Sequence, residues 1–191
     1  MPRPRAFDET VVLTDAMMGF RRHGFAGLSV KDLERATGIS AGSLYNAYGD
    51  KGGLYRAAFE HYFAVVIEPR WGAAATLEDL ERVLLGLFEM PMADGHGCLV
   101  TNAAIEFGAA PSLASDFVAR GLGRLGSVIQ AVLRREIGAT AAGLAARRLV
   151  LIAQGILVLS RAGRLAGDDR AVIRAEFVHL RSLRRRRRNP K

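Results

Sequence analysis

The sequence predicts an all-α protein, on three observations. Strand signals are nearly absent from its 191 residues, while Ala, Leu and Arg recur at helical spacing. Half of the residues are apolar and only 24% are charged, which argues against disorder and leaves chain enough to bury a real core. Gly and Pro cut the helical pattern into pieces of ordinary helix length. About nine helices are expected. Residues 1–49 form a three-helix head, a fourth helix over 50–68, stopped by Pro69, is the connector, 69–183 form a larger helical domain, and 184–191 a basic disordered tail.

Met1 to Ala6 hold prolines and arginines but no apolar segment, so no secretory signal is expected there. Arg3 and Arg5 read either as an arm that touches a DNA minor groove or as a solvated end. The first helix should begin at Asp8 or Thr10 and end at His23-Gly24-Phe25, with Phe25 as a core plug. Val11, Val12, Met18 and Phe20 supply its apolar positions.

Ser29 to Lys51 is the stretch that carries function. Ser29 is an N-cap, Asp32 completes an acidic capping box, and Val30, Leu33 and Ala36 follow at helical spacing. Gly38 is a C-terminal stop, and Ser40 caps a second helix only two residues later, with Leu44 and Tyr48 as its apolar stripe. So short a connection forces the two helices to cross, which is helix-turn-helix geometry. The second helix turns Ala41, Gly42, Ser43, Tyr45 and Asn46 outward, small or hydrogen-bonding and uncharged. Asn can bond adenine bidentately and a Ser hydroxyl can serve any base. Asp50 caps the next helix and sets Lys51 where a phosphate would lie. Ser29, Lys31, Ser40 and Tyr48 complete the expected DNA-facing set. The competing reading is an ordinary αα-corner.

From Phe7 to about Phe63 the chain resembles the N-terminal domain of the TetR family of bacterial transcriptional repressors. The likeness lies in the helix ending in H-G-F, in L-S-V-K-D-L, A-T-G-I-S and G-S-L-Y, and in G-D-K-G-G-L-Y-R-A-A-F. It implies recognition-helix contacts at Ser43, Tyr45 and Asn46 and a phosphate contact at Lys51. Two positions depart from the family pattern: Glu34 stands where a small residue is usual, and Ala47 where His or an aromatic is frequent. The resemblance also implies an effector site inside the second domain, for which Tyr62, Trp71, Phe88, Met92, Cys98, Asn102, Glu106, Phe107 and Phe117 are candidates. Aromatic and Met side chains with a few polar groups suit a smallish apolar ligand, though large apolar residues at helical spacing more often serve simply as core. Asn102 and Glu106, four apart, should point together, either to orient a ligand or to hydrogen-bond each other and neighbouring backbone.

Cys98 opens a helix within G-C-L-V-T-N, a segment similar to one in family members that sense oxidants or electrophiles, with His96 beside it. A buried small hydrophobe is the other reading. A single cysteine forms no internal disulfide, which fits a cytoplasmic protein.

The helix after Thr76 should reach about Met90. Further helices are expected over Cys98–Ala109, from Pro111 to Ile137, over Ala141–Ala162 and from Asp168 to Arg187. The run Leu149 to Leu159 is too short to span a bilayer but apolar nearly all round, so it needs cover on two sides. A second copy is the simplest cover. Leu149, Ile152, Ile156 and Leu159, with Ile173, Phe177 and Leu180, are the expected interface, and in the TetR family the last two helices form such a seam.

The net charge of +8 falls to +1 without the seven cations of residues 181–191, so charge alone does not argue for DNA. Gly121 to Gly126 matches G-x-G-x-x-G but sits within a helix, so a dinucleotide site is rejected in favour of close helix packing. No catalytic grouping, metal-ligand spacing or cofactor motif is present. The expectation is a dimeric, effector-responsive DNA-binding repressor; the alternatives are a sensor acting through Cys98 and, further off, a small-molecule-binding helical protein or enzyme.

Overall fold

The computed structural model describes residues 7–89 and 94–189, so Arg3, Arg5 and Met92 lie outside the described residues. Among those residues nine helices and no strand are present. The first, α1 (Glu9–Gly27), begins where the Asp8 carboxylate accepts the N–H groups of Thr10 and Val11. An acid there satisfies otherwise unpaired donors at the positive end of the helix. Gly24, with φ 75°, breaks its regular course where H-G-F predicts. A side chain there would be strained by that φ, and its Cβ would stand 2.8 Å from Glu106 Oε2.

Helices α2 (Val30–Thr37) and α3 (Ala41–Tyr48) form the expected pair. Ser29 and Asp32 close a reciprocal capping box, Gly38 ends α2 at φ 67°, and Ser40 caps α3. Leu33 and Leu44 are fully buried, and with Phe20, Leu54 and Ala58 they belong to the core beneath the pair. Glu34 has a clear task. Its Oε1 accepts the Ala41 N–H at 2.6 Å, so α2 supplies a cap to the first turn of α3.

Helix α4 (Lys51–Tyr62) starts at the Asp50 cap. Pro69 does not stop it, contrary to expectation. A π-turn over Phe63–Ile67 leads directly into Glu68–Trp71, where Pro69 lies in the first turn and its missing N–H is tolerated. Ile67 and Trp71 are thereby buried.

The second domain follows with boundaries shifted by local chemistry. α5 (Leu77–Leu85) opens on a Thr76–Asp79 capping box and tightens into a 3₁₀ turn at Gly86–Phe88 rather than running to Met90. α6 (Leu99–Phe107) has Cys98 at its N-cap position. α7 (Ser115–Ile137) starts after a turn held by Ser112 and Ser115, not at Pro111. α8 (Ala139–Arg161) begins directly after Gly138, and α9 (Arg170–Arg188) closes the chain. Helix α8 packs along α7, and α9 packs on α5. Gly121 permits the α6–α7 contact, since a Cβ there would meet Val100 at 2.7 Å, whereas Gly123 and Gly126 face open space.

Two expectations about α8 and α9 are corrected. Arg184 to Arg188 are the final turns of α9, not a disordered tail. Arg184 pairs with Glu78 and Glu136 at 2.9 Å each, and Arg187 donates to the Arg134 and Arg135 carbonyls at the end of α7. Cations at a helix C-terminus meet unpaired carbonyls, which is why this basic run keeps helical order.

The expected partner face is also misplaced. Leu149, Ile156, Ile173, Phe177 and Leu180 are no more than 5% exposed within the single chain, and Ile152 is half-buried; of the seven only Leu159 is open, at 40%. The open apolar residues are their neighbours Leu144, Leu151 and Val158 on α8 and Val172 and Val178 on α9. At 23 residues, α8 is long and apolar enough to cross a membrane, longer than its Leu149–Leu159 run suggested. It packs instead on α7 and α9, with Gln154 bonded to Thr101 and Arg148 to Glu176.

Candidate functional site

Three features make up the site: the outer face of α3, a polar junction behind α1, and a cavity in the second domain. On α3, Leu44 points inward and is fully buried, while Gly42, Ser43 and Asn46 are exposed. Ala41, Tyr45 and Tyr48 are half-buried at its edges. Tyr45 is thus not as open as its place in the sequence suggests; its ring packs partly on the core. Ser29 and Ser40 are exposed but spend their hydroxyls on capping. Lys31 is exposed, and Lys51 holds its Nζ 4.6 Å from the Phe25 ring centroid. That cation–π contact fixes the position of one ammonium. The Ser29 hydroxyl and backbone, and then Arg35, hold the Asp32 carboxyl down at about 2.

The junction ties the end of α1 to the second domain. Arg21 is 2% exposed, donates from Nε to the Gly97 carbonyl at 2.6 Å, and grips both oxygens of Asp94 at 2.8 and 2.7 Å. Glu106, one of the ligand candidates, follows the other reading of its pair and accepts from backbone, the Phe25 and Ala26 amides at 2.9 and 2.7 Å. Asn102, expected beside it in the pocket, donates to the Arg21 and His96 carbonyls at 3.0 and 2.8 Å. Arg161 reaches the Arg22 carbonyl at 2.9 Å. The break at Gly24 leaves amides and carbonyls without helical partners, and the second domain supplies them.

His96 belongs to this junction, not to the thiol of Cys98: its Nε2 accepts from Arg22 Nε at 3.2 Å. Burial, reinforced by Arg22, Arg21 and Arg161 against the pull of Asp94, lowers its pKa from 6.5. A depressed folded-state pKa contributes stability above the unfolded value that is lost as pH falls through it. The melting temperature is therefore expected to drop on acidification from neutral pH into the range where His96 protonates. His96→Gln should flatten that drop, as differential scanning calorimetry across the range would record.

Among the α4 π-turn, α6, α7 and α8 lies a cavity of about 40 Å³. Of the expected ligand residues it includes Tyr62, Trp71 and Cys98. The Tyr62 hydroxyl donates to Cys98 Sγ at 3.2 Å, and both are buried; burial first, and then the thiol, raises the phenol pKa. The remaining candidates serve elsewhere. Phe107 joins Phe25 and Tyr55, with centroids 5.9 and 6.1 Å away, and Phe117 stacks on Phe59 at 4.7 Å. Phe88 lies under the Arg170 guanidinium in a separate groove. Arg70, Val66, Thr101 and Gln154 line the cavity unforeseen. A lone cation in P-R-W after an apolar run was the available signal for Arg70. The others depend on the phase of the π-turn and on helix docking.

Comparison with known proteins bears on the head and on the fold separately. Residues 12–58 match the sequence profile of bacterial regulatory proteins of the tetR family. The transcriptional repressor ComR of Escherichia coli (strain K12) is 42% identical over 60 residues, 31% of this chain and 29% of that protein. The transcriptional repressor AcnR of Corynebacterium glutamicum is 32% identical over 80 residues, 42% and 40% of the two chains. The chain thus spans less than half the length of these two relatives. A cysteine mutant of the TetR family regulator CifR, solved with 26-bp operator DNA, aligns with a TM-score of 0.75 at 24% identity, covering 92% of this chain and 98% of that one. A TetR family regulator from Cytophaga hutchinsonii aligns with a TM-score of 0.70 at 19% identity, covering 94% and 96%. Residues 12–58 thus carry the head of the tetR family of bacterial regulatory proteins, and the chain shares the fold of solved regulators of that family through to its last helix.

Proposed function

We propose that this chain is a cytoplasmic transcriptional regulator that binds a near-palindromic operator as a homodimer, represses there, and is released by a small molecule in its second domain. The observation that carries the reading is α3: anchored by buried Leu44, it offers Gly42, Ser43 and Asn46 to a major groove, with Lys31 and Lys51 placed for phosphates. The names of ComR and AcnR favour repression, and CifR's operator complex favours this mode of binding.

Pairing is supported by the open stripe of Leu144, Leu151 and Val158, at intervals of seven along α8, beside Val172 and Val178 on α9. Such a stripe on a soluble helix calls for cover, and an isologous contact gives it. Two heads about one DNA turn apart can then read two half-sites. A ligand that favours misaligned heads by a few kcal/mol shifts the population off DNA. The junction at Arg21 and Glu106 is the link by which the cavity wall bears on the head, because the Gly97 that receives Arg21 adjoins the Cys98 that lines the cavity.

The test is fluorescence anisotropy with DNA flanking the chain's own gene. Tyr45→Ala and Asn46→Ala should each weaken specific binding by about 1–3 kcal/mol, roughly ten- to a hundredfold, with nonspecific binding little changed. Unchanged operator affinity in both variants would contradict the assignment of α3.

A further inference from the structure

We propose that the cavity of the second domain takes a small, mostly apolar monocarboxylate whose carboxylate pairs with Arg70. This rests on the reading of that cavity as the effector site and adds the chemical class of the effector. The observation is an unmet donor: Arg70 Nε is buried with no hydrogen-bond partner. A buried donor in that state costs about 1–3 kcal/mol, so a native chain that keeps one calls for an acceptor.

The charge is also unmatched. No ion pair forms to Arg70 among the described residues, and the nearby acids are committed, Glu68 to Arg124 and Asp79 to Arg82 and the Thr76 cap. The other polar groups of the cavity satisfy one another, Tyr62 with Cys98 and Thr101 with Gln154. Arg70 is therefore the one whose valence a ligand would complete. A guanidinium prefers a carboxylate to a neutral acceptor, because both partners then carry charge in a planar match.

Size and walls narrow the class. Val66, Ile67, Leu122, Leu125 and Leu157 make most of the lining apolar. A cavity of about 40 Å³ holds roughly three waters, so a short acid fits only with its carboxylate at the Arg70 border of the cavity, and a long acyl chain is excluded without widening. Arg70 also borders an outer groove formed with Val65, Pro69, Arg82, Val83 and Gly86, so it stands where that groove meets the cavity. Its guanidinium lies against Gly86, where a Cβ would be in ordinary contact with Arg70 Nη1 at 3.4 Å.

Trp71 is the only tryptophan of the chain and lines the same cavity, so its emission reports on this site alone. The purified protein is titrated with isovalerate and, as an uncharged match, isovaleramide. A saturable change in Trp71 emission with isovalerate is expected, at least about tenfold tighter than with the amide. Arg70→Met should remove that preference with the helical content unchanged; should it fail to fold, Arg70→Gln, which keeps a stem and a donor but no charge, is read instead. Equal binding of acid and amide, a preference that survives loss of the cation, or no saturable change with isovalerate overturns the proposal. Operator binding is read in parallel. Isovalerate binding without change in operator affinity overturns the effector reading but keeps the carboxylate site, whereas operator binding with no response of Trp71 overturns the site and keeps the regulator.

Discussion

Leu151→Glu is expected to leave each chain folded but unpaired, and to lower operator affinity by about a hundredfold or more, the avidity lost when two heads cease to act together. Leu151 is 56% exposed in the single chain, so a carboxylate there is solvated until a second copy covers it. Across a two-fold contact the same substitution would face its own image or bury an unpaired charge, and either outcome opposes pairing. Leu149, two residues earlier, is fully buried in the chain's own core, and Leu149→Glu should unfold it. The pair of variants thus separates an interface from a core on one helix. Sedimentation velocity and circular dichroism read both, and a Leu151→Glu protein that stays dimeric would place the seam elsewhere.

Arg21→Ala is expected to cost about 3–5 kcal/mol, the range for removing one partner of a buried ion pair. The arginine and Asp94 side chains are 3% and 11% exposed, so the stranded carboxylate would keep little water. For a chain of this length that lowers the melting temperature by roughly 6–20 °C. Arg21→Lys should recover only part of it, since an ammonium cannot hold two oxygens of Asp94 and the Gly97 carbonyl in one plane. A melting temperature within a degree or two of wild type in both variants would mean that the junction carries little of the stability.

Much of the head could be read before its coordinates were known, because its signals are local. Ser29, Asp32, Gly38 and Ser40 act within three or four residues of themselves, and each holds the cap or stop its type suggests. What stayed open or failed depends on contacts distant along the chain. Asn102 and Glu106 do point from one helix, as their spacing implied, but Gly24 lies some eighty residues away, and only the fold shows that its broken turn needs them. The apolar run of α8 announced cover on two sides without saying which residues face which. A shift of two positions, Leu149 to Leu151, exchanges core for surface. Pro69 misled for another reason: a π-turn immediately before it lets the helix absorb it, and that same turn buries Trp71 in the cavity wall beside Arg70.

The most direct test of a paired reader is a hydroxyl-radical footprint of the wild-type chain on the DNA that flanks its own gene. Two protected patches on one face of the duplex, related by a near-palindrome and separated by one helical turn, about 34–36 Å, or a multiple of it, are predicted. A single patch, or no protection at concentrations where the protein is dimeric, would contradict it.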